Sequence, residues 1–566
     1  MKLFAKLWML VGVLILSACA SPYAIERGAY GDYIAGQHAK FERDTDKAAE
    51  YFKRALDREP NNEFILQEAF SLAIMDGHFN KALELANDLE DIGAENSTAS
   101  ILLSLNAFKR GRYGEVETFL EKAKGTGFDS LMAPIIRAWV EAEYGNLDDA
   151  LAALEVLKAI PLFEPYQRDH AAFIYDHADH YAEAEAAYMA ILTGPGPVSI
   201  HPVLSLGNML VRTNQIERAD ELYGRFELMW EDNRKLKQAI IDMEDIRVRD
   251  VSHPDPVEAL GYALLRAASE IARDNTYAPA ILYARLSTFM DPKRDDTVLL
   301  LSNLFMVQHQ PEATLRTLEN IDNSSLFSDL ARAKEAHAYN EMGEVDKAIN
   351  LLEGYLRDKP DDLSVRTSLG DIYQVHDRFL EAKNHYSIAI SSIDELSTEN
   401  WYLVFSRGIS NERLGNWDAA EADFMKALTL KPNEPQVLNY LGYSWVDRGE
   451  RYDEARRMIE RAVVQRPNDG AIMDSLGWVL YLLGDFDTAV EKLERAIELI
   501  PNDPLINDHL GDAYWMVGRE IEARFQWRHA LALEPDAEII ATIETKIRLG
   551  LTILQALENN ADASHD

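Results

Sequence analysis

The chain has 566 residues, with 57 Lys and Arg against 95 Asp and Glu, and a net charge of −38. That balance excludes a nucleic-acid binder, which needs a basic face, and disfavours direct docking on anionic lipid headgroups. The length exceeds what one hydrophobic core serves, and the single cysteine, Cys19, excludes a disulfide framework.

In chain order, Lys2 and Lys6 precede an apolar run, Leu7 to Leu16, that is too short to span a bilayer. Leu16-Ser17-Ala18-Cys19 follows and resembles the lipobox of bacterial lipoproteins. The expectation is a signal peptide over 1–18, a lipid on Cys19 and a lipidated tether over 19–28. Two or more acyl chains on such a residue give stable anchoring. The resemblance to Gram-negative lipoproteins also implies a destination. Ala20, rather than Asp, after the cysteine points to the outer membrane, with the remaining chain on its periplasmic face.

A period of 34 or 35 residues then begins. Gly77, Gly111 and Gly145 mark it, as do the small residues Ala48, Ala82, Val116, Ala150, Ala184 and Ala219. Pro60-Asn61-Asn62 joins a helix breaker to helix N-caps. Gly194-Pro195-Gly196-Pro197 reads as a loop. Residues 230–256 carry no repeat signature, end in His253-Pro254-Asp255-Pro256, and read as an irregular linker between arrays over 29–229 and 257–536. Residues 257–292 read as a degenerate helix pair, after which the period resumes at Ala313, Ala348, Ala382 and Ala420, with stops at Gly343 and Gly415.

The period is clearest over 435–536. Leu441-Gly442 returns as Leu476-Gly477 and Leu510-Gly511, each followed by a bulky residue (Trp445, Leu480, Tyr514), a glycine (Gly449, Gly484, Gly518) and a small residue (Ala455, Ala489, Ala523). A second alanine (Ala462, Ala496, Ala530) and a proline (Pro467, Pro501, Pro535) complete the unit. The pattern resembles the tetratricopeptide repeat (TPR), a helix–turn–helix unit of about 34 residues. It implies an all-α TPR solenoid of about a dozen repeats in two superhelices. Ile540, Ile543, Ile547, Leu551 and Leu554 form one apolar stripe, so a capping helix is expected over 537–556, before a polar, disordered tail at 557–566.

No catalytic or cofactor-binding motif stands in the chain: His-Glu-x-x-His, Gly-x-Ser-x-Gly and a phosphate loop are all missing. Asp176-His177-Ala178-Asp179-His180, with His170 seven residues before His177, has the residue types of a zinc site, and would make a metal-dependent hydrolase the enzymatic alternative. It falls at the turn of a repeat, where a polar, solvated turn is expected and no metal. The binding surface expected is the inner face of the C-terminal repeats, where Asn439, Asp474 and Asp508 recur at one position beside Tyr443, Trp478, Tyr481 and Trp515. Carboxylates and amides beside aromatic platforms suit an extended peptide. The face lacks the Lys/Asn and Lys/Arg pairs of the TPR carboxylate clamp, so a basic or hydrophobic segment is the expected ligand there.

The phrases Asn439-Tyr440-Leu441-Gly442-Tyr443-Ser444-Trp445, Asp474-Ser475-Leu476-Gly477-Trp478 and Asn507-Asp508-His509-Leu510-Gly511-Asp512-Ala513-Tyr514-Trp515 are more particular than a generic repeat. They resemble a bacterial family of long TPR lipoproteins. Close to that family are outer-membrane adaptors that bring periplasmic carboxy-terminal-processing proteases to peptidoglycan hydrolases. The resemblance implies a non-enzymatic scaffold with periplasmic protein partners and a lipid-held N-terminus. TPR lipoproteins also serve as structural subunits of polysaccharide export machines, the second role the resemblance allows.

Overall fold

A computed structural model describes residues 28–123, 127–194, 198–230, 233–244, 253–535 and 537–551. Among them every regular element is helical, from Ala29–Phe41 to Ala537–Leu549, with no strand. Cys19, the signal segment, Leu554 and the tail lie outside the described residues. No helix among the described residues is long and apolar enough to cross a membrane.

The helices come in consecutive pairs because the same turn recurs. In the last full repeats the Gly484 amide donates to the Tyr481 carbonyl (2.9 Å) and the Asp485 amide to the Leu480 carbonyl (3.0 Å). These bonds satisfy carbonyls that the end of a helix leaves open, and they need one residue at positive φ. Gly77, Gly111, Gly145, Gly343, Gly415, Gly449, Gly484 and Gly518 all supply it, at φ between 68° and 81°. Where the sequence lacks the glycine, Arg43, Asp179, Asn214, Asn275, His309 and Asp377 take the same left-handed conformation in the same register. Asn, Asp and His tolerate it better than other side chains, so these repeats keep their turn while losing its sequence mark.

Within a repeat, the small residues set how closely the two helices lie. A Cβ built on Gly511 would stand 2.4 Å from the Trp527 indole nitrogen. One on Gly477 would stand 2.5 Å from Leu493 Cγ, and one on Gly370 2.5 Å from the Tyr386 ring. The alanines of the second helices (Ala455, Ala489, Ala523, Ala462, Ala496, Ala530) are fully buried against the first. One small-residue position differs from the sequence reading. Ala313 is half-buried and Thr314 is buried in its place, in step with Ala280 and Ala348. Asn62, Asp469 and Asp503 cap the helices that follow the proline stops, each side chain accepting from a backbone amide two or three residues on.

The described residues up to Glu344 form one compact unit and those from Val345 a second, each with its own core. The segment 230–256 is therefore not where the units part. It holds a helix, Arg234–Glu244, with Leu236 and Met243 buried. Arg234 and Lys235 bind the carboxylates of Asp329 and Asp296, tying this unpaired helix to later repeats of the first unit. The helix pair expected after it is Pro256–Arg273 and Tyr277–Met290. Helix Tyr277–Met290 crosses back onto Glu63–Met75, where Arg285 Nε donates to the Met75 carbonyl at 2.9 Å.

If helix approach at the glycines sets the repeat, Gly511→Ala should destabilise the second unit by about 1–3 kcal/mol, the usual range for overpacking. Gly518→Asn, at the open turn, should cost less. Urea unfolding of the two variants measures the difference; equal effects would contradict this packing account.

Candidate functional site

The binding face expected from the sequence falls on the first helices of the last three repeats, Pro435–Asp447, Gly470–Leu482 and Pro504–Met516. Asn439 and Tyr443 stay half-buried on this face, and the Asn439 side-chain oxygen has no hydrogen-bond partner. Burial, then the Asp474 and Asp447 carboxylates, push the Tyr443 phenol up to about 12, so it remains a hydroxyl donor at neutral pH. Asp474 is only 5% exposed and lies 3.0 and 3.1 Å from His509 Nδ1. Burial alone would lower the His509 imidazole, but the Asp474 carboxylate outweighs it and holds the ring above its ordinary value. Trp478 stacks between two rings, 4.0 Å from His509 and 4.8 Å from Tyr481, both nearly parallel.

The terminal helix, Ala537–Leu549, packs on Glu520–Ala532 and closes the end of this face. Ile543 and Leu551 are buried, as the apolar stripe requires, and so is Lys546, which the stripe does not announce. Lys546 Nζ lies 2.8 Å from both Asp508 Oδ2 and Asp512 Oδ2. Asp512 Oδ1 also accepts from the Trp527 indole at 2.9 Å. Burial pushes Asp512 up; the ammonium of Lys546 pulls it back. Gly550, just past the helix, sits against Trp515, leaving no room there for a Cβ. Trp515 also faces Trp527, and the Arg524 guanidinium lies 4.8 Å over its ring.

The predicted ligand-facing set thus divides. Asp474 and Asp508 are buried and joined to His509 and Lys546, and Trp478 and Trp515 are covered by their own neighbours. Asn439 and Tyr443 are half-buried, as Trp478 and Trp515 are, and Tyr481 is buried at the edge of the ring stack. The reason is the partner residues: His509, Asp512 and Lys546 sit one to several positions outside the recurring pattern. The i, i+4 spacing of Asp508 and Asp512 on one helix face, with Lys546 one position off the apolar stripe, was the available signal.

The histidine cluster of the first unit also resolves into separate contacts. His170 is fully buried, accepts from the Trp139 indole (3.0 Å), and is pushed down by burial to about 3, so it stays neutral. Asp176 binds Arg212 and the Tyr188 hydroxyl, His177 lies 3.2 Å from Glu143, and Asp179 pairs with His253 at 2.8 Å. Among the described residues no group of three His, Cys, Asp or Glu side chains is placed to hold a metal ion.

A family model of the TPR repeat matches residues 477–518. The fold is a TPR solenoid. A TPR repeat-containing protein of Pseudomonas aeruginosa is 28% identical over 187 residues, spanning 32% of this chain and 31% of that protein. The match thus covers under a third of that relative's length. Among solved structures, the APC/C hetero-tetramer Cut9–Hcn1 is similar with a TM-score of 0.43 and 14% identity, over 95% of this chain and 98% of that one. MamA AMB-1 gives a TM-score of 0.26 and 22% identity, over 30% of this chain and 97% of its own. TPR repeats of this kind make protein–protein interaction scaffolds.

Lys546→Met would leave two carboxylates buried without their cation, a change that costs about 3–5 kcal/mol in a buried pair. The thermal midpoint of the second unit should fall, and adding Asp508→Asn and Asp512→Asn should restore part of it. A Lys546→Met protein as stable as the parent would show that the ion pair does not hold the terminal helix.

Proposed function

We propose that this protein is a lipid-anchored adaptor on the periplasmic face of the outer membrane, holding two different proteins at once. The observation that carries the reading is the presence of two compact TPR units, each with its own core, on one chain, and the resemblance of Leu16-Ser17-Ala18-Cys19 to a lipobox supports the anchor. A repeat array offers partners an extended surface without a catalytic centre. Two such arrays on one anchored chain convert the meeting of two partners into a local event, at an effective concentration set by the linkage rather than by the bulk. The family resemblance supplies the partners: a carboxy-terminal-processing protease and the peptidoglycan hydrolases it degrades. The chain's own contribution is then placement, with Cys19 fixing the address and the repeats fixing the pair.

The anchor is tested by Cys19→Ala with a signal segment that still exports the chain. The variant should leave the membrane fraction for the soluble periplasmic fraction while retaining its co-purifying partners, and hydrolase turnover in the cell should slow. A variant that stays with the membrane, or that supports turnover as well as the parent, contradicts the adaptor reading.

A further inference from the structure

The first unit encloses a cavity of about 700 Å³ between its early repeats and the helices that cross back onto them. Four cationic side chains line it: Lys109 and Arg110 from the end of one helix, Arg285 and Arg316 from more than 170 residues later. Only Asp46 and Asp76 oppose them, which reverses the balance of a chain with 38 excess negative charges. Other arginines of the same unit are paired, Arg212 with Asp176, Arg266 with Asp169 and Arg294 with Asp291. At the cavity, Arg110, Arg285 and Arg316 have no ion-pair partner among the described residues.

Arg285 is positioned, not loose. Its Nε donates to the Met75 carbonyl at 2.9 Å and its guanidinium lies 5.2 Å over the Phe305 ring, with no carboxylate among the described residues in ion-pair contact with its terminal nitrogens. Burial, only partly relieved by Asp76 and reinforced by the neighbouring Arg316, pushes the guanidinium down to about 10. An anion between the two arginines would remove that cost. Lys109 has a different task. Its ammonium donates to the Phe289 and Met290 carbonyls, closing the helix end that forms one wall. The rings of Phe79 and Phe289, 5.3 Å apart, supply an apolar flank.

We propose that this cavity binds an acidic peptide segment, its carboxylate held between Arg285 and Arg316, with Arg110 as a further cation and an apolar side chain against Phe79 and Phe289. Guanidinium forks match a carboxylate in geometry as well as charge. The volume is that of a site for a ligand larger than a simple anion. The half-buried Asn106 amide on the same wall offers a donor and an acceptor to a peptide main chain. The proposal is independent of the lipid anchor and of the second unit, and stands or falls separately from the adaptor reading.

The test is fluorescence anisotropy on the full chain with a labelled octapeptide of glutamates and one central phenylalanine, its glutamine counterpart, and inorganic phosphate as competitor. The glutamate peptide should bind, and the glutamine peptide should bind at least about tenfold more weakly, the loss of one charge-assisted bond being worth that much. Arg316→Gln, at an exposed position that leaves folding intact, should weaken binding by about the same factor, and Arg285→Gln further. Arg461→Gln in the second unit should change nothing. Absence of binding, equal binding of the glutamine peptide, or binding that survives Arg316→Gln overturns the proposal. Displacement of the peptide by an equimolar amount of phosphate overturns the peptide assignment and makes the cavity a small-anion site.

Discussion

The whole solenoid depends on how near the two helices of a repeat can come. The Leu-Gly step admits the partner helix to within contact of bare backbone, and the ring or branched side chain opposite, Trp527 at Gly511, Leu493 at Gly477 and Tyr386 at Gly370, fills the space a Cβ would take. The alanines of the second helix complete the fit from the other side. A unit so packed buries one face and leaves the next helix pair to bury the other, so stability accumulates by neighbours and the array can be long. Length, here, is what gives the chain its surface.

Much of this is legible in the sequence, because the contacts that define a repeat are local and each has its own residue type. Gly449, Gly484 and Gly518 announce a left-handed turn, and Asp469 and Asp503 announce caps. What the sequence hid was wherever another residue does the same job. Asn214, Asn275 and His309 turn the chain without a glycine, and Thr314 takes the place of an alanine. The helix Arg234–Glu244, within a segment that reads as a linker, was hidden for a different reason. A lone helix has no repeat to declare it, and it is held by Arg234 and Lys235 reaching carboxylates more than 60 residues away. Long-range ion pairs leave no periodicity.

The predicted binding face shows the same limit at the level of single side chains. Position within a repeat places Asp474, Trp478, Asp508 and Trp515 on the first helices of their repeats. It does not say what already covers them. Lys546 enters between Asp508 and Asp512, and His509 between Asp474 and Trp478. The acidic pocket that looked ready for a basic segment is filled by the chain's own terminal helix. In the first unit the situation is inverted, with Arg110, Arg285 and Arg316 gathered at a cavity and no carboxylate among the described residues in ion-pair contact with them.

The central claim is that one chain presents two separate binding units to two proteins. Cross-linking mass spectrometry on complexes captured through the full chain in intact envelopes addresses it directly. The account predicts cross-links from two different periplasmic proteins, one confined to lysines within 28–344 and the other to lysines within 345–551. Cross-links from a single partner, or from both partners to the same unit, would contradict it.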